Sequence, residues 1–156
     1  MAMSNHERIG RALDLLNTAL HPYVERELQA VHGEAWEATV ADARRGGRRG
    51  TARAEAPRWD TQALLKVLWD QWQLVFGKTL GRAERSLVSE LIEVRNQWAH
   101  QQALSTDDTY RALDSIERLL KAIAAPEALE AERQKQALLR VRFEEQMFGR
   151  HHHIDR

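Results

Sequence analysis

The 156-residue chain contains no cysteine. A disulfide framework, a thiol nucleophile and any cysteine-held zinc or iron–sulfur site are therefore excluded. A reducing compartment is compatible with that. Long hydrophobic runs are missing too: no stretch approaches the roughly 18 uninterrupted apolar residues of a membrane span. Met1–Gly10 is polar and carries no apolar run ahead of a cleavage site. These absences lead us to expect a soluble, cytoplasmic protein without a membrane partner. Charge of one sign is not in excess either, with 23 Lys+Arg against 23 Asp+Glu. A zero balance argues against indiscriminate coating of nucleic acid, but it leaves room for a local basic patch. The Val/Ile/Thr alternation of strands is also lacking.

What is present is enough apolar side chain, 43% of residues, to fill one core and to exclude a wholly disordered chain. The apolar residues recur at helical spacing. Ser4-Asn5-His6-Glu7 forms a capping box, and Ile9, Leu13, Leu16 and Leu20 then share one face. Pro22 is expected to kink or break this first helix near His21, and Gly33 to end it. A second helix starts at Asp60, a good N-cap, with Leu64, Leu68, Trp72 and Val75 as its stripe and Leu65, Trp69 and Phe76 beside it. A third runs from about Arg82 to Gln101. Ser105-Thr106-Asp107-Asp108 opens a fourth, striped by Leu113, Ile116, Leu120 and Ile123. Pro126 begins a more polar fifth. Short links between the second, third and fourth helices favour antiparallel neighbours. The expected fold is all-α: an up-and-down four-helix bundle over 1–125, with a C-terminal helix and tail, 126–156, as a connector towards a further domain.

Between the first and second helices lies a loop, about 41–58. Within it Arg44, Arg45, Arg48, Arg49 and Arg53 alternate with three glycines and no acid. The composition reads either as a mobile solvated insert or as an arginine–glycine segment that tracks an RNA backbone. Trp69, Trp72 and Trp98 sit on helical stripes and read as core; Trp36 and Trp59 flank the loop. His151–His153 reads as a solvated tail or a weak metal site.

The third helix carries the chemistry. On a wheel of about 100° per residue, Leu87, Leu91, Val94 and Trp98 form the core stripe. Val88, Ile92 and Ala99 form a second apolar stripe, about a quarter-turn away, with Arg95 inside it. Two stripes suit a helix deep in a bundle or one that meets a second copy of itself. Arg95 either snorkels its head to water or is paired. Asn96 and His100 are four apart and therefore neighbours, able to hydrogen-bond. Arg95 and His100 lie about 140° and roughly 7.5 Å apart, so a site using both needs a pocket around the helix edge or a two-fold partner. A histidine is suited to acid–base work near neutrality.

Arg95-Asn96-Gln97-Trp98-Ala99-His100 resembles the R-x(4–6)-H motif of the HEPN superfamily, the higher eukaryotes and prokaryotes nucleotide-binding domains. Trp59-Asp60, Leu64 to Trp72 and Val75-Phe76 ahead of it are similar to one branch, as are Asp107 to Asp114 and Arg118 to Leu120 behind it. That branch is shared by a yeast nuclear RNA-surveillance endoribonuclease and by bacterial multidomain proteins, where it precedes ATPase or helicase-like regions. The resemblance covers about residues 4–125. It implies a helical bundle, a homodimer through the motif-bearing helices, and metal-independent RNA cleavage with no cofactor. Attack by the 2′-hydroxyl would leave a 2′,3′-cyclic phosphate. His100 would move a proton, Arg95 would hold the phosphate, and Asn96 would orient His100 or bind the phosphate. Two further readings stand beside this one: a non-catalytic RNA-binding or dimerisation module of a larger defence or toxin-type protein, and a bundle that meets an antitoxin-like partner.

Overall fold

The computed structural model describes residues 3–40 and 59–154. Its long helices are α1 (Asn5–His32), α2 (Thr61–Asp70), α3 (Arg82–Ala99), α4 (Thr106–Ala122) and α5 (Ala128–Ile154). Among the described residues there is no strand, and no helix is long and apolar enough to cross a membrane. The arginine loop, Arg44 to Arg53, lies outside the described residues.

Local chemistry sets the helix starts. The Ser4 hydroxyl accepts from the Glu7 N–H (3.1 Å), the Asp60 carboxylate from Ala63 (2.7 Å) and the Ser105 hydroxyl from Asp108 (3.0 Å). Gly81 opens α3 differently: its own N–H donates to the Glu84 carboxylate (2.9 Å). Gly33 ends α1 at φ 66°, in the region glycine alone enters freely.

Pro22 does not break α1, which runs unbroken to His32. Leu20, Tyr23 and Val24 are buried around it, while Pro22 itself is exposed. Packing on both sides of the proline holds the helix through the one lost N–H bond. The final residues also depart from expectation. The helix α5 continues through His151–His153 to Ile154, where the sequence reads as a loose tail.

The bundle has one core, and α4 sits at its centre, packed against α1, α3 and α5. From α2 onward successive helices alternate in direction. The pair α1 and α2 does not. The Thr61 hydroxyl, at the start of α2, donates to the Leu13 carbonyl (3.3 Å). Gln71, just past the end of α2, bonds His32 at the end of α1 (3.0 Å). The two helices therefore point the same way, and strict up-and-down alternation fails at this step. The link between them, residues 33–60, is long enough to return along the bundle, so nothing forces its flanking helices to be antiparallel. Trp36 and Trp59, near the two ends of that link, are buried and stack with ring centroids 6.3 Å apart.

The turn from α2 to α3 depends on Gly77. Its N–H donates to the Trp72 carbonyl at 2.6 Å. A Cβ there would stand 2.7 Å from that same oxygen, which is backbone and cannot swing aside. Gly77→Ala is expected to cost about 1–3 kcal/mol, read as a fall in Tm of about 2–4 °C per kcal/mol. An unchanged Tm would show that the turn relaxes freely.

Candidate active site

The motif lies on the last two turns of α3. This helix is flanked by α2 on one side and α4 on the other, with α1 behind. Its deepest line therefore runs through Val88 and Leu91, both fully buried. This corrects the sequence reading of Val88 as part of a free interface stripe: Val88 belongs to the chain's own core. Leu87, Val94, Trp98 and Ile92 flank that line and are half-buried. Ala99 is exposed.

Arg95 and Asn96 share a groove of about 410 Å3 between α2 and α3. Leu65, Lys66 and Trp69 form its α2 wall, and Ile92 stands beside Arg95 on the α3 wall. His100 is not among the groove's lining residues. It is the exposed residue that caps α3. The structure thus joins Arg95 with Asn96 and leaves His100 one turn further on. Asn96 and His100 are linked through the backbone, His100 N–H to Asn96 C=O at 3.0 Å. Among the described residues no hydrogen bond or ion pair engages the side chains of Arg95, Asn96 or His100. A guanidinium fork, an amide and an imidazole are left available to a ligand. Nor does any group of three or more His, Asp or Glu among the described residues stand ready for a metal ion.

The end of α3 is pinned from a distant part of the chain. The Trp98 indole N–H donates to the His6 carbonyl (3.1 Å), and the His6 ring donates back to the Trp98 carbonyl through Nε2 (3.2 Å). The two rings stack at 5.2 Å with 13° between planes. Gly10 lies beneath the indole, where a Cβ would come within 3.2 Å of its nitrogen. Asn5 adds a bond to the Leu104 carbonyl (3.0 Å). Beyond His100 the chain turns sharply: Gln101 takes φ 54°, and Gln102 N–H reaches back to Gln97 C=O (3.0 Å). This is a Schellman ending built on glutamine instead of glycine, a strained choice directly after His100. Sequence reasoning read His6 only as part of a cap. A contact across 92 residues has no local signature. His6→Ala is expected to cost about 1 kcal/mol by removing the bond to Trp98, seen as a Tm lowered by a few degrees. No change would mean that Trp98 holds the end alone.

Trp69 and Trp98 also depart from the sequence reading. Trp72 is buried as expected. Trp98 is half-buried, and Trp69 is 39% exposed. The guanidinium of Arg85 lies over the Trp69 ring, 4.4 Å from its centre.

No curated protein and no solved structure matches the chain. The sequence does match the Swt1-like HEPN family over residues 11–124, a span that takes in most of α1, all of α2 and α3 with the motif, and α4. With that match on an all-helical bundle, the chain belongs to the Swt1-like HEPN family of the HEPN superfamily.

Proposed function

We propose that this domain is a metal-independent RNA endonuclease acting as a homodimer. Ribonuclease activity is associated with its family. The observation that carries the reading is the unengaged set on α3: Arg95 and Asn96 in an open groove and His100 on the exposed helix end. His100 takes the proton of a ribose 2′-hydroxyl, and the freed oxygen attacks the neighbouring phosphorus. The bond to the 5′ oxygen breaks, and that oxygen takes up the proton carried by the His100 imidazolium. The products are a 2′,3′-cyclic phosphate and a 5′-hydroxyl. Arg95 grips two phosphate oxygens with its planar fork and stabilises the charge that builds there. Asn96 adds a hydrogen bond to the phosphate from the same groove.

Within one chain His100 stands outside the groove that holds Arg95. A two-fold partner supplies the missing proximity, with Ile92 and Ala99 on the face between the copies. The same separation favours a second reading, in which the groove binds RNA without cutting it.

The test is to incubate the purified chain with single-stranded RNA, with and without EDTA, and to analyse the product ends. Cleavage that persists in EDTA and leaves cyclic phosphate is the expected result. Cleavage abolished by EDTA sinks the mechanism. RNA binding without any product selects the second reading.

A further inference from the structure

The α2 helix keeps most of its apolar side chains inside: Leu64, Leu65, Val67 and Leu68 are fully buried. Trp69 is its one large apolar side chain left substantially open, and it lines the same groove as Arg95 and Asn96. A tryptophan is costly to leave in water, so its position asks for an occupant. Arg85 covers part of the ring with its guanidinium. The Nε of Arg85 is buried and has no acceptor among the described residues. The part of the indole that Arg85 leaves open is half of a recognition site, a planar ring to stack on.

The rest of the groove narrows the choice of occupant. Its volume of about 410 Å3 falls in the range of about 300–1,000 Å3 typical of small-ligand sites. Its walls carry both signs of charge. Lys66 and Arg95 are cationic; Asp70 and Glu93 are acidic, and Asp70 is tied to Lys66 at 3.1 Å. A bare phosphate is poorly matched to that mixture. A nucleotide is well matched. Its phosphate meets Arg95, its flat base meets Trp69, and the amino or imino hydrogens of the base edge meet carboxylate acceptors such as Glu93.

We propose that the α2–α3 groove is a nucleotide subsite, in which one base of the bound RNA stacks on Trp69, whose ring is packed by Arg85, while its phosphate is held by Arg95. The proposal rests on the ribonuclease reading above and names how that site grips its substrate. Trp69 binds the strand and Arg85 positions Trp69; neither touches the scissile bond.

The test compares two fluorescein-labelled probes of equal length, a uridine oligonucleotide and an abasic ribose-phosphate strand. Their affinities are measured for the full chain and for Trp69→Ala, Trp69→Phe, Arg85→Ala and Arg95→Ala, after melting curves confirm that each variant folds. The wild type is expected to prefer the base-bearing strand by about 5- to 150-fold, the size of one base–aromatic stack. Trp69→Ala should erase that preference, leaving the abasic affinity unchanged, and Trp69→Phe should restore most of it. Arg85→Ala should reduce the preference, whereas Arg95→Ala should weaken both probes alike. Equal binding of the two strands by the wild type overturns the subsite and leaves the ribonuclease reading intact. Full uridine affinity in Trp69→Ala alongside cleavage lost in Arg95→Ala does the same. Failure of the wild type to bind either strand, as expected if the groove seats a protein segment, overturns both.

Discussion

Replacing His100 by alanine is expected to lower RNA cleavage by about 10²–10⁴-fold, the range of a lost general acid–base group. The melting temperature should barely move. His100 is exposed and its side chain makes no hydrogen bond or ion pair with the described residues, so its truncation belongs with ordinary surface substitutions, within about 0.5 kcal/mol. Arg95→Ala should be as damaging to cleavage. Arg95→Lys should recover little of it, because lysine keeps the charge but loses the planar fork that grips two phosphate oxygens. The two variants also test the dimer. Arg95 lies in the groove and His100 beyond it, so in the proposed dimer a composite site would take Arg95 from one copy and His100 from the other. Mixing inactive Arg95→Ala chains with inactive His100→Ala chains then rebuilds one intact site per mixed dimer, and activity should reappear. Cleavage that survives in both purified single variants removes these residues from the mechanism. A mixture that stays silent removes the composite site.

Much of the fold was legible because its signals are local. Ser4, Asp60, Ser105 and Gly33 each act on backbone groups within three or four residues, and each marks the helix end that the spacing predicts. Most of the departures come from long-range packing. Pro22 carries the local signal of a break, but Leu20, Tyr23 and Val24 are buried against other helices and override it. Val88 and Leu87 stand about 100° apart on the wheel, and only the arrangement of α1, α2 and α4 around α3 decides which is central. Trp69 follows the apolar stripe of α2 in sequence, yet α2 ends beside an open groove. The relative direction of α1 and α2 was hidden by a link long enough to permit either.

The candidate site divides in the same way. Arg95, Asn96 and His100 were legible as a motif on one helix. The geometry that separates His100 from the groove was legible too, from the wheel. What the sequence could not show was the support. His6 meets Trp98 from the far end of the chain, and Arg85 meets Trp69 from a different helix. Neither pair leaves a pattern at fixed spacing.

Lys135→Met is expected to destabilise the attachment of α5. Lys135 lies 2.8 Å from Glu117 and 3.2 Å from Asp114 on α4, and it is itself largely covered. Glu117 is 5% exposed, and its remaining partner is Lys121 at 2.6 Å. A buried carboxylate stripped of one of two cations is costly; complete loss of pairing runs to about 3–5 kcal/mol. With Lys121 still in place, about 2 kcal/mol is the expected loss. Replacing both partners, Glu117→Leu with Lys135→Met, removes the charge along with its counter-ion and should recover most of that stability. A double variant as unstable as the single one would show that the lysine stem, and not the ion pair, does the holding. The pH dependence follows from the same contacts. Burial pushes the Glu117 carboxyl up, but the hydrogen-bonding ammonium groups of Lys121 and Lys135 outweigh it and leave the group below its ordinary 4.5. Its bond to Glu117, opposed by a smaller desolvation effect, holds the Lys135 ammonium above its ordinary 10.5. A depressed carboxylate contributes stability above its unfolded value and loses it as pH falls through the folded one. A raised ammonium contributes below its unfolded value and loses it only as pH rises through the folded one. The cluster therefore works at full strength between about pH 4.5 and 10.5 and fails first in acid. Melting curves taken downward from pH 5 should show the wild type losing ground that the double variant does not. Because α5 is also tied by Arg142 to Asp107 (2.9 Å), at the end of the bundle where α3 delivers His100, hydrogen exchange in acid should register first in α5 and last in the core line of Val88 and Leu91.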